Sequence, residues 1–178
     1  MARYVVLLRG VNLGSHNRVS MPALRELLEN AGLGDVRTYL QSGNVVLSSR
    51  GGRAQVAGTC REAIRDTLGL DLELVVRSAG ELAEIVERSP LADGAANPKR
   101  YQVTFLEREL PASTAERVRS AAAPPERVVV AGREIHAWHP DGIGRSKLAS
   151  LLASRALGVV ATSRNWATVT ALLELAST

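Results

Sequence analysis

The apolar positions of this chain change period several times, and each change marks an element. Tyr4–Arg9 is a β-branched, leucine-rich run of strand length. A glycine-spaced loop follows from Gly10 to Ser20. Leu24, Leu27, Leu28 and Ala31 then recur at the spacing of one helix face, with Ser20 or Met21 as cap, Pro22 in the first turn and Gly32 as stop. Val36–Gln41 and Val45–Ser49 form a hairpin around Ser42-Gly43-Asn44. Arg53–Leu68 is a second helix, with Val56, Ala57, Cys60, Ile64 and Leu68 inward, and Leu72–Arg77 is a fourth strand.

The order β-α-β-β-α-β is the split βαβ, or ferredoxin-like, unit. A connecting helix, Glu81–Arg88, and a linker, Ser89–Arg100, lead to a second series. It comprises strand Tyr101–Glu107, helix Ala112–Ala122, strands Arg127–Val130 and Glu134–Trp138 about a Gly132 turn, and helices Lys147–Leu157 and Trp166–Ala176. The expected fold is therefore α+β, with two ferredoxin-like halves, residues 1–88 and 101–178, joined by linker 89–100. It reads as a structural duplication whose second copy is altered at its C-terminal end, where a helix takes the place of the fourth strand. No residue-level repeat accompanies it, so the duplication rests on element order.

In a split βαβ unit the sheet order 4-1-3-2 makes strands one and two parallel, so the loops that leave them share one edge. Arg9, Asn12, Asn17 and Arg18 are thereby expected beside Gln41, Ser42, Gly43 and Asn44, a polar patch with glycines that leave backbone N–H groups open to an anion. Each residue also has a local task open to it: Gly43-Asn44 as a turn, Ser42 bonding its own backbone, Asn12 and Asn17 bracing a long loop. A second candidate is the helix start at Ser146, flanked by Arg145 and Lys147. A third is TSRNW (Thr162–Trp166), with Asn165 or Ser163 capping the last helix, Arg164 at its polar end and Trp166 turned to the core. A helix of about eleven residues, roughly 16 Å long, places GRSK and TSRNW at opposite ends.

Composition narrows the chemistry. The 178 residues are 46% apolar and 22% charged, the balance of a globular domain, and no apolar run reaches the ~18 residues of a membrane span. MARYVVLLRGVNLG reads as a first strand and not as a signal peptide. The one cysteine, Cys60, faces inward and fits a reducing cytoplasm. The net charge of +4 favours phosphates weakly, but the basic residues are scattered and form no polybasic tail. His136 and His139 lie three apart on a strand, on opposite faces, so they do not share a metal; His16 is read as solvated. No carboxylate pair, nucleophile triad, P-loop, metal set or cofactor motif stands out. Aromatic residues make up 3%, and strand three, VVLSS, has none, so any nucleic-acid contact would be led by phosphates and not by stacked bases.

The stretches LLRGVNLG, MPALRELLENAG, VRTYLQSGNVV, GRSKL and TSRNWATV resemble the bacterial proteins of the DUF1697 family. The resemblance implies a compact α/β protein with ferredoxin-like halves, and the family carries no established activity. Its recurring polar residues correspond to Arg9, Asn12, Gln41, Ser42, Asn44, Ser146, Lys147, Arg164, Asn165 and Trp166. Ser15 stands where a second glycine is usual, Arg18 replaces a common lysine and Leu47 a common phenylalanine. The expected function is a non-catalytic binding module for an anionic, phosphate-bearing ligand, with nucleic acid the first candidate. The alternatives are an enzyme on a small phosphorylated or nucleotide substrate, with Arg9 and Arg18 as its clamp, and an oligomeric scaffold pairing through edge strands.

Overall fold

In the computed structural model, which describes residues 1–91 and 96–178, strand β1 (Ala2–Leu8) is buried without a break from Tyr4 to Leu8. Its place explains this. The first sheet has the order β2-β3-β1-β4, with β2 at Gly34–Tyr39, β3 at Asn44–Ser49 and β4 at Leu74–Ser78. Every neighbouring pair is antiparallel, so β1 and β2, both antiparallel to β3, run the same way. Alternate residues of the sheet, Tyr4, Val6, Leu8, Val45, Leu47, Leu74 and Val76, share a core with the helices. Helix α1 (Met21–Asn30) contributes Leu24 and Leu28, and α2 (Arg53–Leu68) contributes Val56, Cys60 and Ile64. Ala31, expected on the α1 stripe, is the exposed C-cap instead. Helix α3 (Ala79–Glu87) follows β4 directly.

The second sheet repeats the order as β6-β7-β5-β8, again with antiparallel neighbours. Its elements are β5 (Tyr101–Leu106), α4 (Ala112–Ala121), β6 (Arg127–Ala131), β7 (Glu134–Trp138), α5 (Lys147–Ala153), a 3-10 turn at Arg155–Leu157, β8 (Ala161–Asn165) and α6 (Trp166–Ser177). Leu106, Ile135, Ala137 and Ala161 pack on Val118, Leu148, Leu152 and Leu157. The chain is thus mixed α+β, two four-stranded antiparallel sheets each followed by helices. The compact units are Met1–Glu84 with Leu172–Thr178, and Ile85–Ala171. Of the expected linker 89–100, residues 92–95 lie outside the described residues.

Two sequence expectations are corrected. The second half does not replace its fourth strand with a helix: β8 pairs with β5 from Gln102↔Asn165 to Leu106↔Ala161, and the last helix comes after it. Helix α5 also stops at Ala153, and β8 returns the chain parallel to β7, so the ends of β7 and β8 lie at one edge and not at opposite ends. The reason is compositional. ATSRN has no apolar alternation, and its strand character comes from pairing with β5, some 60 residues earlier in the chain.

With β8 in place, a repeat appears in the register. The Leu8 amide donates to Gly43 O at 2.8 Å and the Leu106 amide to Arg133 O at 2.9 Å. Arg9 donates to Glu73 O, and Glu107 to Val160 O, each at 2.9 Å. Val5 pairs with Arg77, and Val103 with Arg164. Ser78 Oγ accepts the Glu81 amide at 3.1 Å, and Asn165 Oδ1 the Thr168 amide at 2.9 Å, each capping the helix that follows. The main departure is the link from first strand to first helix, residues 9–20 in one unit and only 107–111 in the other.

Candidate functional site

That long link lies against the β2–β3 hairpin, as the parallel placement of β1 and β2 requires. Asn12 joins the two loops. Its Nδ2 donates to Val19 O at 3.0 Å and to Gln41 O at 2.6 Å, and its Oδ1 accepts the Val19 amide at 2.9 Å. Asn17 Nδ2 donates to Gly10 O at 3.2 Å, and Asn17 O accepts the Asn12 amide at 3.1 Å. Both asparagines sit at positive φ, 55° and 48°, a region asparagine tolerates better than most residues. Their task is to shape the loop.

The hairpin residues are spent in a similar way. Asn44 is fully buried and donates from Nδ2 to Tyr39 O and Ser42 Oγ, both at 2.9 Å. Gly43, at φ +81°, is fixed sterically: a Cβ there would lie 2.6 Å from Val11 Cγ2 and 2.7 Å from Leu8 Cβ. Arg9 pairs with Glu73 at 3.3 Å. The two loops therefore meet as expected, but Arg9, Asn12, Asn17, Ser42, Gly43 and Asn44 act mainly as their frame.

What the frame leaves open is a cleft of about 390 Å³ lined by Asn12, Arg18, Val19, Ser20 and Gln41. Ser20 Oγ caps α1, accepting the Ala23 amide at 3.4 Å. Arg18 is exposed, and neither its guanidinium nor the side-chain amide of Gln41 has a partner among the described residues. No carboxylate lines this cleft.

The second unit holds a cluster that sequence reading missed. Glu126 Oε2 accepts from Ser146 Oγ at 2.5 Å and from His139 Nδ1 at 2.6 Å. Ser146 Oγ also caps α5, accepting the Ala149 amide at 3.0 Å. The serine proton is directed at the carboxylate, Ser146 lies 3.4 Å from Nδ1, and His139 Nε2 is buried without a hydrogen-bond partner among the described residues. This is not the order of a nucleophile relay, where the histidine stands between serine and acid. Burial alone would push the Glu126 carboxyl up, but hydrogen bonds from Ser146, His139 and the Ala123 amide, with the His139 charge, hold it below its usual range. A cleft of about 650 Å³ runs along the cluster, with Pro124, Asp141, Gly144 and Arg145 among its walls. Arg145 and Lys147 are exposed and have no partner among the described residues. A signal for the cluster was present: β6 and β7 pair Arg127 with Trp138, which sets Glu126 and His139 opposite each other one step on.

TSRNW lies elsewhere than expected. Arg164 is not at a polar helix end; it is buried in β8, where NH1 donates to Thr162 Oγ1 at 2.6 Å and to Ser163 O at 2.9 Å. Burial pulls its pKa down to about 10. Asn165 does cap the last helix, whereas Ser163 Oγ bonds Thr104 Oγ1 at 2.7 Å.

A family model described as "protein of unknown function (DUF1697)" matches residues 1–136. The chain belongs to the DUF1697 family. The match takes in the whole Arg9–Asn44 region and stops short of Arg145–Lys147 and Arg164–Asn165. A solved structure of a conserved bacterial protein from Streptococcus pneumoniae is similar at a TM-score of 0.82 and 22% identity, covering 98% of each chain. That likeness speaks for the fold alone. No curated protein matches this DUF1697 member. Among the described residues, no helix is long and apolar enough to cross a membrane.

Two groups, the buried His136 and the half-buried Glu126, make the fold sensitive to acid. Burial pushes the His136 pKa down to about 4, so the unfolded chain takes up that proton first as pH falls. Stability from a neutral His136 is whole above its ordinary value near 6.5 and drains away between there and about 4. The lowered Glu126 adds stability that is present above its ordinary 4.5 and lost as pH drops through the folded value. Denaturant melts are expected to hold steady from pH 8 to 7 and to lose about 2–3 kcal/mol towards pH 4, with the upper part of the loss flattened in His136→Gln. A flat profile in the parent protein would refute the assignment.

Proposed function

We propose that this protein is a binding module for a phosphate-bearing anion, held in the cleft of Asn12, Arg18, Ser20 and Gln41. The observation that carries the reading is Arg18, a cation without a partner among the described residues, on the wall of a cleft that no carboxylate lines. Asn12, bonded at both ends of its amide, keeps the surrounding loop set before the ligand arrives, which lowers the ordering cost of binding. The other cleft suits an anion less, because Glu126 and Asp141 stand opposite the single charge of Arg145. We read the two sheets as ferredoxin-like halves of a duplicated unit, with the site on the link that only the first half lengthens. A cytoplasmic location fits the buried Cys60, whose thiol burial pushes up to about 12, out of reach of ordinary thiolate chemistry.

Nucleic acid and a small phosphorylated molecule are the two ligand classes. The 390 Å³ volume favours the small molecule, since it is the size of a pocket that encloses one. A screen of inorganic phosphate, sugar phosphates, nucleotides and oligonucleotides by melting shift and fluorescence separates them. Arg18→Ala is expected to weaken the ligand at least about tenfold, the worth of one charge-assisted hydrogen bond. For an oligonucleotide, the slope of log affinity against log salt should fall by about one contact, roughly 0.7–0.9. Arg9→Ala should change that slope less, since Arg9 is paired with Glu73. Binding indifferent to Arg18 would refute the reading.

A further inference from the structure

The cleft of about 650 Å³ in the second unit carries two opposite charges that do not meet. Asp141 and Arg145 both line it and both are exposed. They stand four positions apart in the link from β7 to α5, yet neither pairs with the other or with any other described residue. The remaining acid on the wall is already occupied. Glu126 Oε2 accepts from Ser146 Oγ at 2.5 Å and His139 Nδ1 at 2.6 Å, and its Oε1 accepts the Ala123 amide at 3.4 Å. These bonds also brace the wall, because Ser146 caps α5. Gly144 supplies an independent observation. Its backbone lies outside the left-handed region, and a Cβ built there would meet nothing within 4 Å. Folding therefore makes no demand for glycine at this position, whereas a side chain would project into open space on the cleft wall.

We propose that this cleft is a second binding site, for a small zwitterion that carries an ammonium and a carboxylate group on one short skeleton. Asp141 takes the ammonium group and Arg145 the carboxylate, each through a charge-assisted hydrogen bond. A simple anion or a simple amine satisfies one of these charges and leaves the other without a partner. Free amino acids and short peptides have the required chemistry in common. The Pro124 ring and Ala123 give the wall apolar carbon against which the skeleton lies. The braced Glu126–Ser146 wall is set before the ligand arrives, which lowers the ordering cost of binding. The site is independent of the Arg18 cleft, which no carboxylate lines.

The test titrates the full chain with alanine, alanyl-alanine, propionate and propylamine, followed by amide-resolved nuclear magnetic resonance. One of the two zwitterions should bind at least about tenfold tighter than either singly charged control, the worth of one more charge-assisted contact. Which zwitterion gains more tells a free amino acid from a peptide. Asp141→Asn should reduce that zwitterion to the level of propionate, and Arg145→Gln to the level of propylamine. Gly144→Leu should abolish binding with Tm unchanged, which separates a filled cleft from a damaged fold. Zwitterions that bind no tighter than the controls overturn the inference. So does an advantage that survives either charge variant, or binding that Gly144→Leu leaves intact.

Discussion

Gly43→Ala is expected to destabilise the fold by about 2–5 kcal/mol, combining the penalty of a left-handed alanine with overpacking of a closed contact. The added methyl would enter at φ +81° and meet Val11 Cγ2 at 2.6 Å and Leu8 Cβ at 2.7 Å. Neither neighbour yields easily: both are buried, and Leu8 is held by its own amide bond to Gly43 O at 2.8 Å. The effect should also reach binding, because moving the hairpin away from Val11 stretches the bond from Asn12 to Gln41. Gly132 serves as the control. It is the turn glycine of the other hairpin, also at positive φ, but a Cβ there would meet nothing closer than Glu109 Oε1 at 3.9 Å. Gly132→Ala should therefore cost only the conformational part, about 1–2 kcal/mol. Denaturant melts of the two variants check the difference; equal losses would mean that the close approach at Gly43 is unimportant.

The second large effect is Trp166→Ala, with an expected loss of about 3–5 kcal/mol. The indole is 8% exposed and stacks on Tyr101, with ring centroids 4.6 Å apart and planes 13° from parallel. Tyr101 is in turn fixed by its hydroxyl, 2.5 Å from Ser89 Oγ and 2.7 Å from His136 Nδ1. Removing the indole opens a void beside a buried polar chain, so the loss should exceed that of an isolated aromatic. Trp166→Phe, which keeps a ring over Tyr101, should recover part of it. A Trp166→Ala variant that melts within about 1 kcal/mol of the parent would show that the stack is not structural.

Much of this was legible in the sequence, and the residues show why. The meeting of Arg9–Ser20 with Gln41–Asn44 followed from element order, because parallel strands one and two leave no other edge for their loops. The orientation of Trp166 followed from helical spacing. Four features did not follow. Strand β8 was hidden because its residues are polar and its only credential is a partner strand some 60 residues away. The burial of Arg164 came with it, since a residue expected ahead of a helix lies in a sheet instead. The polar residues of the two loops could be grouped from element order, yet which of them are consumed as frame depends on single hydrogen bonds that no pattern encodes. Leu40 was invisible for a different reason: leucine is a poor choice for positive φ, so the sequence argued against the conformation it adopts.

The most direct test of the central claim is an amide-resolved titration of the full chain with inorganic phosphate, followed by nuclear magnetic resonance. Saturable shifts are expected at Asn12, Arg18, Ser20 and Gln41, lost in Arg18→Ala, with Glu126 and Gly144–Lys147 unmoved. Shifts confined to Gly144–Lys147, or none that saturate at the Arg18 cleft, would contradict it.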